Sequence, residues 1–319
     1  MVEGFFLPFD MKFKIDIPIQ NNPVLDYQIP VLAIGSCFAD RMSDHLKKAQ
    51  FSVLANPFGT LYNPVSMAQN LFGLTMKNDL VQNNGLWHSF RHHSDFSSAD
   101  QSALVEKMQA TDVSVEKHFA ISKSTVLVTF GSAQVFTFEG EIVANCHKLQ
   151  SNRFQNRLLQ VAEIVNSWTA LLAKYPNHDF VFTVSPVRYM REGMHQSNLS
   201  KSILLLAINQ LVEQFENAMY FPAYEVVIDE LRDYRFYKED LVHPNNQAVN
   251  YVWSKVKSHL MTERTLAMID DLEKVVQMQQ HTLLHPESEL AKKFIAQKTK
   301  AEIAFESKYG MPIGSSEDR

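Results

Sequence analysis

The chain repeatedly sets a short apolar run ahead of a stretch with helical spacing, and this pattern limits the folds open to it. The apolar runs are "VLAI" (31–34), "FSVLA" (51–55), "TVLVTF" (125–130), "FVFTVSP" (180–186) and "YEVVIDEL" (224–231). Residues 38–49 place Phe38, Met42 and Leu46 on one helical face, and helices are expected over about 65–75, 99–119, 154–174, 200–218 and 246–262. Buried strands alternating with amphipathic helices predict parallel βαβ units. The expected fold class is α/β, a three-layer α/β/α sandwich on a mostly parallel sheet. "VFTFEGEIVA" (135–144) predicts a hairpin turning at Glu139 and Gly140. Residues 1–262 are expected to form the main domain. Residues 263–319 form a charged helical extension packed on it, with the polar terminus "GSSEDR".

Composition narrows the function classes. Of 319 residues 45% are hydrophobic, enough for a full core, and the net charge is −5, which advertises no nucleic-acid surface. Cys37 and Cys146 are the only cysteines, so no disulfide framework is expected and a reducing compartment fits. "MVEGFFLPFD" lacks a basic leader and a long apolar run, and no stretch of 18 apolar residues suggests a membrane span. The expectation is a soluble cytoplasmic protein. Glycine is scarce, 10 in all, so Gly35, Gly59 and Gly131, each just after an apolar run, mark backbone requirements.

In a parallel sheet the site lies at the carboxyl ends of the strands. "IGSC" (34–37) puts Ser36 there. A serine nucleophile needs a base, and the base an orienter. "YKEDLVHPN" (237–245) offers both, because Asp240 and His243 are three residues apart and would share one face of a helical turn. Backbone N–H groups of Ser36 and of Gly59 or Gly131 are candidates for an oxyanion hole.

Other features carry a plainer alternative. Cys37 could be a nucleophile at a helix start, but a small core residue is the better reading. His88 and His92 could chelate a metal from one helix face. They lack further ligands, so no metal is expected, and residues 86–96 read as an aromatic loop near the pocket. "NCHK" (145–148) could line the site through Asn145 and His147, or satisfy loop backbone. Arg188, after "FVFTVSP", could bind an anionic group or pair with Asp233 or Glu230.

Several stretches, taken together, resemble the GSCFA family, a branch of the SGNH or GDSL-like hydrolases. They are "IGSCFAD", "NPFGTLYNP", "VTFGSAQVF", "NCHK", "FTVSPVR", "LSKS" and "YFPAYEVVIDELRDYRFYKEDLVHPN", spanning residues 34–245. The resemblance implies a three-layer α/β/α hydrolase fold. It implies the nucleophile at Ser36, an oxyanion glycine at Gly59, a third block at Gly131-Ser132-Ala133, and the Asp-x-x-His pair at Asp240 and His243. The third block departs from the superfamily, which has an oxyanion asparagine where Ala133 stands. Loss of one such donor costs ~10²–10³ in rate, so another group substitutes or activity is weak. Ser132, Gln134, Asn145 and His147 are candidates to fill in.

The expected function is a serine esterase acting on a small acyl ester, such as an acetylated carbohydrate, with no cofactor. The expected partner is that small molecule, with no nucleic acid and no membrane; the oligomeric state stays open. An O-acyltransferase using the same triad is one alternative. A carbohydrate- or acyl-binding module that has lost the chemistry is another. Aromatic residues of loops 57–64 and 86–96 could stack on a sugar ring.

Overall fold

The computed structural model describes residues 14–281 and 284–313. The amino-terminal "MVEGFFLPFD" and the terminal "GSSEDR", on which two of the readings above fall, lie outside the described residues. In chain order the strands and helices are β1 (Val31–Gly35), α1 (Cys37–Lys48), β2 (Val53–Ala55), α2 (Pro64–Phe72), β3 (Leu80–Asn83), β4 (Leu86–Ser89), α3 (Gln101–Phe119), β5 (Thr125–Phe130), β6 (Gln134–Phe138), β7 (Glu141–Val143), β8 (Gln155–Leu158), α4 (Val161–Lys174), β9 (Asp179–Val184), α5 (Met194–Gln214), β10 (Ala218–Tyr220), α6 (Ala223–Glu225), α7 (Asn246–Leu260), α8 (Glu263–Gln280) and α9 (Glu289–Tyr309).

Five strands form the central sheet in the spatial order β2-β1-β5-β9-β10, and every neighbouring pair is parallel. Counted within this sheet the order is 2-1-3-4-5, so the winding reverses between β1 and β5. In such sheets a crevice opens at that reversal, outside the strands' carboxyl ends.

Side-chain alternation along the strands feeds the two outer layers. Leu32, Ile34, Val126, Val128, Phe130, Phe180, Phe182 and Val184 point to one face and pack against α2, α4 and α5. Val31 and Val181 point to the other and pack against α1, the Ala223–Val227 turn and α7. The expected three-layer α/β arrangement is therefore the one observed.

Two smaller sheets sit beside the main one. β3 and β4 form a hairpin; β6 pairs antiparallel with β7 and β8. The β6–β7 turn falls at Glu139 and Gly140, with φ of 52° and 86°. Two successive left-handed residues suit the twist of a two-residue hairpin.

Three boundaries differ from the sequence reading. Residues 224–231 are not a strand: α6 continues into a wider π-helical turn, Val226–Leu231. The last strand is β10. A short apolar run buried on all sides does not distinguish strand from helix by periodicity, and Val226 and Val227 are fully buried under α7. Residues 155–158 belong to β8, and α4 starts only at Val161. α5 starts at Met194, earlier than expected.

The C-terminal extension is helical. Met268, Leu272 and Val275 of α8 pack on Phe305 of α9. Asp271 of α8 accepts hydrogen bonds from Lys308 and Tyr309 of α9. Thr265 bonds Asp26 at 3.0 Å, which ties α8 to the segment before β1. No described helix is long and apolar enough to cross a membrane.

The pairing of β1 with β5 sets one firm constraint. Gly35 lies opposite Thr129 with φ of 145°, and a Cβ on it would fall 2.2 Å from the Thr129 carbonyl oxygen. Gly35→Ala is expected to destabilise the protein by about 3 kcal/mol, through backbone strain and forced separation of the two strands. Urea denaturation checks this; a loss below about 1 kcal/mol would contradict it.

Candidate active site

Ser36 leaves β1 at the switch point and caps α1. Its extended backbone (φ −68°, ψ 173°) lets its Oγ accept from the Phe38 N–H at 3.3 Å. A polar latch behind it fixes the strand end. The Gly35 N–H donates to Asn56 Oδ1 at 2.8 Å, and Asn56 Nδ2 donates to Asp40 Oδ1 at 2.5 Å. Thr60 Oγ1 donates to the other Asp40 oxygen at 3.1 Å, and Leu61 N–H to the Gly35 carbonyl at 3.0 Å. "GSCFAD" and "NPFGTLYNP" are thus two halves of one latch, Asp40 in the first and Asn56 and Thr60 in the second.

Asp240 and His243 share a turn, but it is not helical. Asp240 Oδ1 accepts the N–H groups of Val242 and His243, both at 2.9 Å, and Oδ2 meets His243 Nδ1 at 2.8 Å. This wraps the chain tightly enough to hold Leu241 at φ 54°, a strained value for leucine. A Tyr237–Pro244 bridge closes the turn, and Asn245 then caps α7. The accepted N–H bonds, then the imidazole, hold the Asp240 carboxyl down at about 2. An acceptor on Nδ1 orients the ring and leaves Nε2 free.

Ser36, Cys37 and His243 line one cavity of about 630 Å³. Ser36 is 1% exposed at its base, whereas the His243 side chain is 42% exposed at its opening. No direct hydrogen bond joins the two side chains; such bonds commonly tighten only around a substrate.

The remaining candidates divide. Gly131, Ser132 and Asn145 line the cavity. Both N–H groups of Gly131 and Ser132 are already given to the Tyr62 carbonyl at 2.9 Å. Asn145 uses its Oδ1 to accept from the His147 N–H at 2.8 Å, which leaves its NH₂ without a protein acceptor. The others turn elsewhere. The Gly59 N–H donates to Asn56 O at 2.8 Å, and its missing Cβ makes room for His93, so this glycine shapes a turn and not the cavity wall. His147 points away from the cavity; its Nε2 meets Ser89 O at 2.7 Å and its ring stacks on His88. The Arg188 guanidinium lies by the Tyr237 hydroxyl and does not line the cavity. Its N–H, donated to Val242 O at 3.0 Å, instead ties the β9 loop to the His243 turn. Its two suggested partners are taken: Glu230 is held by Lys14 and Lys255, and Asp233 pairs with Arg235.

Two further backbone donors belong to the helix start: the Cys37 N–H, first in α1, and the Ser36 N–H, which makes a long bond of 3.2 Å to Thr129 O. A helix N-terminus is suited to developing negative charge. Cys37 itself lines the cavity and is not the core residue expected. Burial pushes its thiol up, which disfavours the thiolate. Ala133 is fully buried, and its N–H is already given to Ser200 Oγ at 2.8 Å.

Two neighbours of the site had been passed over. Lys201, in "LSKS", is buried on α5, and its Nζ reaches Gly131 O at 2.8 Å and Ser185 O at 2.7 Å. Burial lowers it to about 7. A lysine in register with Leu204 and Ile208 on an apolar helix face was the available signal. Arg191, which lines the cavity, left no such mark.

The aromatic loops also differ from expectation. Phe58, Phe90 and Phe96 are buried in the core, and of residues 57–64 only Tyr62 and Asn63 reach the cavity. His88 sits on β4 and His92 just past it, not on a helix. His88 Nδ1 bonds Ser97 Oγ and His92 Nδ1 bonds Ser89 Oγ. Among the described residues no group of three His, Cys, Asp or Glu side chains could hold a metal.

Fold and site define a class: a doubly wound α/β protein whose strand-end serine shares a cavity with an aspartate-held histidine. The chain belongs to the GSCFA family, whose model matches residues 30–256. That span holds every residue of the latch and of the Asp240–His243 turn and ends before α8. No curated protein matches the chain.

Buried histidines, two beside the β3–β4 hairpin and one at the end of α3, make the fold acid-sensitive. Burial lowers His92 to about 3 and His147 and the α3 residue His118 to about 4. The unfolded chain, titrating near 6.5, binds more protons than the folded one between about pH 6.5 and 4, so stability falls as pH falls through that window. The urea midpoint at pH 4.5 is expected below that at pH 7, and His118→Leu should flatten the drop. An equal midpoint at both pH values would contradict this.

Proposed function

We propose that this chain is a serine esterase of the SGNH type, cleaving an acyl ester through Ser36, His243 and Asp240. The observation that carries the reading is the shared cavity, with Ser36 at its base and an imidazole fixed through Nδ1 by Asp240 at its opening.

Ser36 Oγ attacks the ester carbonyl and gives its proton to His243 Nε2. Asp240 keeps the imidazole in the tautomer that can accept there and stabilises the imidazolium. The oxyanion is held by the N–H groups of Ser36 and Cys37, with the Asn145 NH₂ on the cavity wall as a third donor. His243 then passes the proton to the departing alkoxide, leaving an acyl-Ser36 ester. Water attacks this ester and yields a proton to His243, which returns it to Ser36 Oγ as the acyl–oxygen bond breaks; the carboxylic acid leaves and Ser36 is regenerated. The sequence needs no cofactor.

One observation favours a second reading. Ala133 presents no donor and faces the core, so a binding module on the same fold remains the rival. Transfer of the acyl group to an alcohol in place of water is a variant of the same chemistry.

Hydrolysis of p-nitrophenyl butyrate by the purified protein tests the reading. Ser36→Ala and His243→Ala are each expected to lower kcat by ~10³ or more, and the double variant no further, because the pair acts as a unit. Wild-type turnover no faster than that of Ser36→Ala would favour the binding module.

A further inference from the structure

The walls of the cavity differ in chemistry from its opening. Val135, Phe136 and Val143 of the small sheet β6–β8, with Phe154 just before β8, give the cavity an apolar floor; Val135 and Val143 are 1% and 2% exposed. No carboxylate lines the cavity among the described residues, although the chain carries a net charge of −5. Two cations do line it, Lys148 and Arg191.

Both cations are exposed whereas Val135 and Val143 are buried, which sets the cations on the solvent side of the cavity. Lys148 is exposed and makes no ion pair or hydrogen bond. His147 and Lys148 have φ of 49° and 57°, so the loop reverses sharply there. It sends His147 into the β3–β4 hairpin and Lys148 to the cavity. The Arg191 side chain is 65% exposed; its guanidinium lies 5.8 Å from the Phe136 ring, and among the described residues Glu192 alone pairs with it, at 3.8 Å. Arg191 belongs to the β9 loop, which Arg188 ties to the His243 turn.

Position relative to His243 orients the substrate. The leaving oxygen takes its proton from His243, so the alcohol arm lies on the open, cationic side. The acyl arm then extends from Ser36 along the apolar floor. A volume of about 630 Å³ is in the range that holds drug-sized ligands and far exceeds what an acetyl group fills.

We propose that the ester cleaved here joins an apolar acyl group of several carbons to an anionic alcohol, whose charge is met by Lys148 and Arg191. This rests on the Ser36–His243–Asp240 reading. It replaces the acetylated neutral sugar, which has neither an apolar acyl arm to cover the floor nor a charge to meet the cations.

Four phenyl esters test it: the octanoates and acetates of 4-hydroxybenzenesulfonate and of its neutral counterpart 4-hydroxybenzenesulfonamide. The sulfonate octanoate is expected to show the highest kcat/KM. Its lead is at least ~ten-fold over the sulfonamide octanoate and over the sulfonate acetate, about 1.4 kcal/mol for each preference. The sulfonate preference should shrink as salt rises. Lys148→Gln/Arg191→Gln should lower kcat/KM for the sulfonate at least ~ten-fold more than for the sulfonamide. Equal rates for the charged and neutral esters, or preference for the acetates, would overturn the substrate assignment while Ser36→Ala still silences turnover. Turnover of all four esters by Ser36→Ala at the wild-type rate would overturn both the assignment and the triad.

Discussion

The contact on which the site depends is the close approach of β1 to β5 at their carboxyl ends. Only a glycine fits against the Thr129 carbonyl. Because Gly35 brings the chains so near, the next residue, Ser36, is delivered to the switch point at the start of α1. The same approach is repeated one step on, where Gly131 lies against Tyr62, with a Cβ there 3.0 Å from the Tyr62 carbonyl. Two glycines therefore set the backbone of the loops that carry Ser36 and Ser132.

Polar groups then hold this geometry from behind. The Asp40–Asn56–Thr60 latch binds the β2–α2 loop to the end of β1. Lys201 joins the ends of β5 and β9 by donating to one carbonyl from each. At a pKa near 7 the amine is partly neutral at physiological pH, yet a neutral amine still has two hydrogens for two acceptors. The result is a rigid base beneath Ser36, with a more exposed Asp240–His243 turn over the opening. In the proposed reaction the accessible group is the one that meets both the leaving alcohol and the incoming water.

Much of this was legible in the sequence, and the failures have physical causes. The alternation of apolar runs with helical spacing led to a parallel α/β sheet because both periods were strong, as in β5 and α1. It failed at residues 224–231, where burial on every side erased the period and a helix read as a strand. Ser36, Asp240 and His243 could be singled out because a serine behind a strand-end glycine and an Asp-x-x-His turn are patterns visible in the sequence, and the structure brings Ser36 and His243 to one cavity. Gly59, His147 and Arg188 were named for the cavity and lie beside it. Sequence spacing puts a residue on a loop, but left-handed residues such as His147 and Lys148 decide which way each side chain leaves it. Lys201 and Arg191 were missed, since only tertiary packing brings α5 and the β9 loop to the ends of β5 and β1.

The most direct measurement of the central claim is the intact mass and labelled peptide after treatment with a fluorophosphonate. Transfer of its phosphonyl group to Ser36 needs both the His243 base and an oxyanion donor set, and no particular acyl substrate. The account predicts a single adduct, on Ser36, absent in His243→Ala. No adduct on the folded protein, or an adduct elsewhere, would contradict it.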